Sequence, residues 1–214
     1  METNDNWNNY FYEGTNVLKN KLGITDKDEL KKKEKEISLE KLTCLYLEPI
    51  KGNFDAKHLC AIHKYIFGDL FDFAGEYRNV NIGKTHTSAF TDYHFISSYL
   101  DQALEDIDKK IAKEAFSDLD YAERLAFCYH RLIDIHPFRE GNGRAIREFM
   151  REYVKSRNIF FENKDYELDF SSKDIDREQL FLGTVLPISQ IGVLTIQFMN
   201  ALKITQKKDN VKRI

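Results

Sequence analysis

At 214 residues, with 42% hydrophobic and 31% charged side chains, the chain is long enough for one domain with a substantial core. Only 10 glycines and 3 prolines leave few backbone breakers, which favours long helices and disfavours a turn-rich β-sandwich or barrel. A net charge of −3 excludes a globally basic nucleic-acid coat.

Cys44, Cys60 and Cys128 stand far apart with no CxxC pair, which fits a reduced, cytoplasmic compartment. No apolar run approaches the roughly 18–20 residues of a membrane span, and the polar start is not a secretory signal. Residues 1–9 read as a polar, disordered-like N-terminus. A helix is expected over residues 26–48, with Thr25 or Asp26 as its cap and Pro49 beyond its end. Its charged first half, Lys31 to Glu36, reads as a solvated face. Ile37, Leu39, Leu42, Leu45 and Tyr46 form its core-facing stripe. Asp55 suits the cap of a second helix running through Phe67, with Leu59, Ile62, His63 and Ile66 on one face.

Residues 68–89 change character. Gly75, Gly83, Val80, Ile82 and Thr85 suggest an extended hairpin with Gly83 and Lys84 near its tip. Helices follow over residues 92–115, 118–135 and 142–157. The first is amphipathic through Phe95, Ile96, Tyr99, Leu100, Leu104, Ile107 and Ile111, whereas the second is apolar around most of its cylinder. Residues 158–170 read as a connector with a short strand pair. Helices near 174–186 and 188–203 complete a single, mainly α domain over 10–203, and 204–214 is a basic C-terminal tail.

The informative stretch is His136-Pro137-Phe138-Arg139-Glu140-Gly141-Asn142-Gly143-Arg144-Ala145-Ile146-Arg147. Glycines before a helix let backbone N–H groups turn toward an anion, and the helix dipole adds positive potential there. Asn142 can lend an amide to such a cradle. At about 100° per residue, Arg144, Arg147 and Arg151 share one helix face, and Ile146, Phe149, Met150 and Tyr153 the opposite, core-facing one. Guanidinium forks match polyphosphate oxygens. Glu140 adds one hard oxygen ligand suited to Mg²⁺, and His136 is of the type that takes a proton from an attacking hydroxyl.

This string resembles the Fic-family signature, HxFx(D/E)GNGRxxR, at every defining position. The segment from Tyr12 to Ile24 is similar to the N-terminal stretch of bacterial Fic proteins, and Phe73-Ala74-Gly75-Glu76-Tyr77-Arg78 to the start of that family's flap. The resemblance implies a Fic-type helical domain with a short β-hairpin flap beside the active site. It implies a protein adenylyltransferase that moves AMP from ATP to a Ser, Thr or Tyr hydroxyl and releases pyrophosphate. By carry-over, His136 is the base, Glu140 holds Mg²⁺, and Gly141, Asn142 and Gly143 cradle the α-phosphate, which Asn142 reaches. Arg144 meets the β-phosphate and Arg147 the γ-phosphate, while Phe138 anchors the loop. Asn81, Ile82, Gly83 and Lys84 are the flap residues that dock an extended target segment.

Two alternatives stay open: a nucleotide-binding regulatory module with little turnover, and a Fic-fold transferase of another phosphate-containing group. Doc-type relatives that transfer phosphate carry lysine where this chain has Gly143, which favours AMP transfer. The family's inhibitory pattern, (S/T)xxxE(G/N), is matched only by Thr25 and Glu29, and Leu30 follows where Gly or Asn belongs. Inhibition is therefore expected from a separate small antitoxin-like partner, or the inhibitory helix is degenerate; self-modification and homo-oligomer formation are also expected. No membrane partner and no specific nucleic-acid signal is read.

Overall fold

The structure, a computed structural model, describes residues 8–83, 89–112 and 117–207. These divide into two compact units: the chain up to Gln102 with Ile133–Phe149, and Ala103–Leu132 with the chain from Met150 onward.

In the first unit, residues 10–19 form a tight loop closed by an antiparallel bridge between Phe11 and Leu18. Helix α1 spans Lys27–Leu47, and its cap is Asp26, whose carboxylate accepts the Glu29 N–H at 2.8 Å. Glu29 is thus an ordinary first-turn acid, as its place beside the cap requires. The expected core stripe of α1 is corrected: Leu45 is fully buried, but Leu39 and Tyr46 are 63% and 51% exposed. The packed line of α1 is narrower and runs through Leu30, Ser38 and Leu45, which recur at about two helical turns. Helix α2, Ala56–Phe67, packs on α1 and is capped by Asp55; Leu59, Ile62, His63 and Ile66 are all buried.

Of the hairpin expected over residues 68–89, residues 68–80 run as turns and coil, and the tip lies outside the described residues. Among the described residues its arms meet at one bridge, Gly83 to Ala89, with Phe90 N–H donating to the Ile82 carbonyl at 3.2 Å. Residues 84–88, including Lys84, lie outside the described residues. The carbonyls of Val80 and Thr91, which a ladder would use, instead accept hydrogen bonds from the Arg78 side chain.

Helix α3 spans Ile96–Ile111 after a short 3₁₀ turn capped by Asp92. Ile96, Leu100, Ile107 and Ile111 are buried, whereas Phe95 and Tyr99 are about half exposed. Helix α4, Asp118–Ile135, is buried on most sides, and α5 covers Asn142–Arg157.

In the second unit, strand β1 (Lys164–Leu168) pairs antiparallel with β2 (Leu202–Gln206), Tyr166 facing Ile204. The partner of β1 therefore comes from the end of the chain and not from the 158–170 connector. Residues expected as helix end and frayed tail, Leu202 to Gln206, are strand. Helices α6 (Arg177–Val185) and α7 (Gly192–Ala201) pack together where Gly183 meets Leu194: a Cβ there would lie 2.6 Å from the Leu194 Cγ. Tyr121 packs against Tyr166 and Phe161, and Asp118 accepts from Lys164 and the Tyr166 hydroxyl. Among the described residues no helix is long and apolar enough to cross a membrane.

Candidate active site

The motif loop, residues 136–141, joins α4 to α5 in the first unit. Its shape follows from what grips it. Phe138 is 0% exposed and stacks on His63 with ring centroids 3.8 Å apart. The Nδ1 of His63 accepts the Gly75 N–H at 2.8 Å, so Nε2 carries the proton and donates to the Glu140 carbonyl at 2.9 Å. Burial holds His63 neutral, with its pKa pushed down to about 4.

Arg78 is the second clamp. Its side chain is buried, and Nε donates to the His136 carbonyl at 2.8 Å. The two other nitrogens donate to the carbonyls of Val80, Thr91 and Ile135, and its backbone N–H donates to the Pro137 carbonyl at 2.8 Å. One guanidinium thus ties both flap arms to the residues that present His136. Burial lowers the Arg78 pKa, yet a guanidinium stays charged at any working pH. His136 itself has φ +49°, a left-handed conformation that costs a non-glycine residue about 1–2 kcal/mol, and its ring stacks on Phe90 at 3.8 Å. Thr91 N–H donates to the Asp134 carbonyl at 3.0 Å, which fixes the return arm to the end of α4.

Gly141 has φ +80°, and a Cβ there would fall 2.3 Å from the Phe67 ring, so both conformation and space demand glycine. Asn142 opens α5 and is buried; its Oδ1 accepts the Phe138 N–H at 2.9 Å and its Nδ2 donates to the Phe138 carbonyl at 2.7 Å. Ala145, Ile146 and Phe149 are fully buried, so α5 presents Arg144 and Arg147, each half-buried, away from that side. Arg151, expected on the same face, is buried instead.

Arg144 leans toward α1. Its guanidinium pairs with the Glu34 carboxylate, donates to Ser38 Oγ at 3.0 Å and lies over the Phe67 ring at 4.8 Å. Glu140 Oε1 is 3.9 Å from the same guanidinium and accepts the Gly141 N–H at 3.0 Å. Burial raises the Glu34 pKa, and the Arg144 charge opposes that rise. Arg139 lies over the rings of Phe11 and Tyr10 at 5.1 and 5.4 Å. A pocket of about 580 Å³ opens beside these groups, reached by Arg139, Glu140 and Arg144 from the loop and by Glu34 from α1. On the flap, Asn81 donates to Asp92 at 2.9 Å and accepts the Tyr93 N–H; Gly83 is exposed.

The sequence reading missed Glu34, His63 and Arg78. Glu34 sits among lysines that read as a solvated face, and His63 on an apolar face looks like ordinary core. Arg78 lies in a stretch that carried a likeness but no assigned role.

A glycine loop opens α5 beside Arg144 and Arg147, and His63, Arg78 and Asn142 hold its backbone. Residues 53–154 match the Fic/DOC family. The chain is 34% identical over 141 residues to the protein adenylyltransferase VbhT of Bartonella schoenbuchensis, an alignment covering 66% of this chain and 29% of that one. It is 32% identical over 143 residues to a probable protein adenylyltransferase Fic of Salmonella typhimurium, covering 67% and 70%. The fold matches the BepC protein of Bartonella tribocorum, solved with bound AMPPNP, at a TM-score of 0.79 and 26% identity over 94% of this chain and 98% of that one. The chain belongs to the Fic/DOC family, and it spans under a third of the length of VbhT.

Proposed function

We propose that the chain is a protein adenylyltransferase, acting through residues 136–147 on ATP and a protein hydroxyl. The observation that carries this reading is the intact motif loop, whose backbone is fixed by His63, Arg78 and Asn142 before any ligand arrives. Relatives named as adenylyltransferases and a fold neighbour holding AMPPNP support it.

His136 takes the proton of the target hydroxyl as the oxygen attacks the α-phosphorus. The new bond joins that oxygen to phosphorus; the bond from the α-phosphorus to the bridging oxygen breaks, and pyrophosphate leaves. Gly143 offers its backbone N–H at the start of α5 to the α-phosphate, while Gly141, whose N–H donates to Glu140 Oε1 at 3.0 Å, turns the loop with its left-handed backbone. An asparagine amide has two N–H donors and the Phe138 carbonyl uses one, so Asn142 retains a second for the phosphate. Arg144 and Arg147 stabilise charge on the leaving β- and γ-phosphates.

The donor set fits Mg²⁺ as cofactor. Among the described residues no group of three or more His, Cys, Asp or Glu could hold a metal, but this ion takes one carboxylate where substrate phosphates and water complete its shell. Glu140, with its side chain 43% exposed, is that carboxylate. When bound, the ion neutralises charge building on the pyrophosphate. Ile82 and the exposed backbone at Gly83 suit strand addition by an extended target segment, with Asn81 holding the arm and Lys84 beyond it. The target carries Ser, Thr or Tyr, and a small antitoxin-like inhibitor, self-modification and a homo-oligomer belong to the same reading.

Incubation with ATP labelled at the α-phosphate, and separately at the γ-phosphate, tests the proposal. Label from the α-position alone, lost in a His136→Asn variant, is expected. Label from the γ-position marks phosphate transfer, and AMPPNP binding without any transfer marks a regulatory module.

A further inference from the structure

We propose that Glu34 and Ser38 are positioning residues that set the Arg144 guanidinium for a triphosphate, which makes α1 part of the nucleotide site. The inference rests on the adenylyltransferase reading. It begins with a polar interruption on the packed line of α1. Leu30 and Leu45 on that line are buried apolar residues, but between them come Glu34, with its side chain 15% exposed, and buried Ser38. They are four residues apart, so both project from the same face on successive turns. Both meet one group: Glu34 pairs with one terminal nitrogen of Arg144 and Ser38 Oγ accepts from the other. The Phe67 ring, 4.8 Å away, covers a face of the guanidinium.

An arginine side chain gives up rotamer freedom when held in one pose. Here it is held before a ligand arrives, so that loss falls on folding and not on nucleotide binding. The neighbouring carboxylate gives the clamp a second task. Glu140 Oε1 lies 3.9 Å from the same guanidinium. Without Glu34, Arg144 would settle on Glu140, and two phosphate-handling groups would be tied to each other.

Glu34 could instead act as a rival for the phosphate. A rival must withdraw when the ligand enters. Glu34 lies inside a helix of 21 residues, capped by Asp26 and fixed on either side of it by Leu30 and Leu45. The geometry therefore favours holding over competing.

Calorimetric titration of the full chain with AMPPNP and with AMP, which lacks the β- and γ-phosphates, separates these cases. Wild type must bind AMPPNP; failure there overturns the adenylyltransferase reading itself. Glu34→Gln should weaken AMPPNP roughly tenfold and Ser38→Ala about threefold, with AMP affinity unchanged. Glu34→Asp should recover part of the loss, and Glu34→Gln should add nothing in an Arg144→Ala background. Tighter AMPPNP binding by Glu34→Gln would make Glu34 a competitor and sink the inference. An equal loss for both nucleotides, or a lower melting temperature with unchanged affinities, would mark a purely structural pair and sink it as well.

Discussion

The motif loop and the two flap arms are both irregular backbone, yet they are held differently. The loop is gripped through side chains reaching it from several elements: His63 at the Glu140 carbonyl, Arg78 at those of Ile135 and His136, and Asn142 across Phe138. Among the described residues the arms are joined by one bridge, by the Arg78 guanidinium between them and by the Asn81 side chain bonded to Asp92 and Tyr93, and Asn81 and Gly83 are exposed. The proposed triphosphate site benefits from being rigid in advance. The proposed docking of an extended target segment needs open backbone groups.

Substitutions can break this contrast, and the loop should respond far more than the arms. Phe138→Ala removes a fully buried ring and should lower stability by about 3–5 kcal/mol, read by urea melts. A loss under about 1 kcal/mol would show that the loop does not depend on that anchor. Gly141→Ala places a methyl group against Phe67 in a left-handed backbone and should cost about 2–4 kcal/mol, with nucleotide binding lost in protein that still folds.

The His63 clamp predicts a pH dependence. Its pKa of about 4 in the folded protein lies below the ordinary 6.5, so the unfolded chain takes up the proton first as pH falls. The contribution is complete above about pH 6.5 and drains away between 6.5 and 4, on the order of 2–3 kcal/mol. Melting temperatures at pH 7.5 and 5 should differ more in wild type than in His63→Asn; equal differences would remove His63 as the cause. The smallest effect belongs to the arms. Ile82→Ser should change stability by less than about 0.5 kcal/mol and leave AMPPNP affinity intact, while labelling of lysate proteins falls about fivefold.

Local signals made much of this legible. Asp55, and Asp26 as one of two candidates, were readable as caps because each carries its own acceptor to a nearby N–H, and α4 and α5 fall where periodicity placed them. The motif loop was legible because its residues are contiguous. What escaped depends on residues far apart in the chain. Glu34 and Arg144 are separated by 110 positions, and Arg78 and His136 by 58. Strand β2 pairs with β1 without a connecting turn to announce it, so its Leu-Lys-Ile-Thr-Gln run read as helix end and tail. The stripe on α1 was overdrawn because hydrophobic spacing cannot tell which of two neighbouring apolar lines finds a partner.

The left-handed backbone at His136 bears on how such a chain could lose its chemistry while keeping its shape. Asparagine and aspartate tolerate that conformation better than most residues, and each lies one base change from either histidine codon. If His136 is the base, as proposed, a folded but inert version lies within a single mutational step, and a β-branched replacement at the same position would forfeit the turn along with the imidazole.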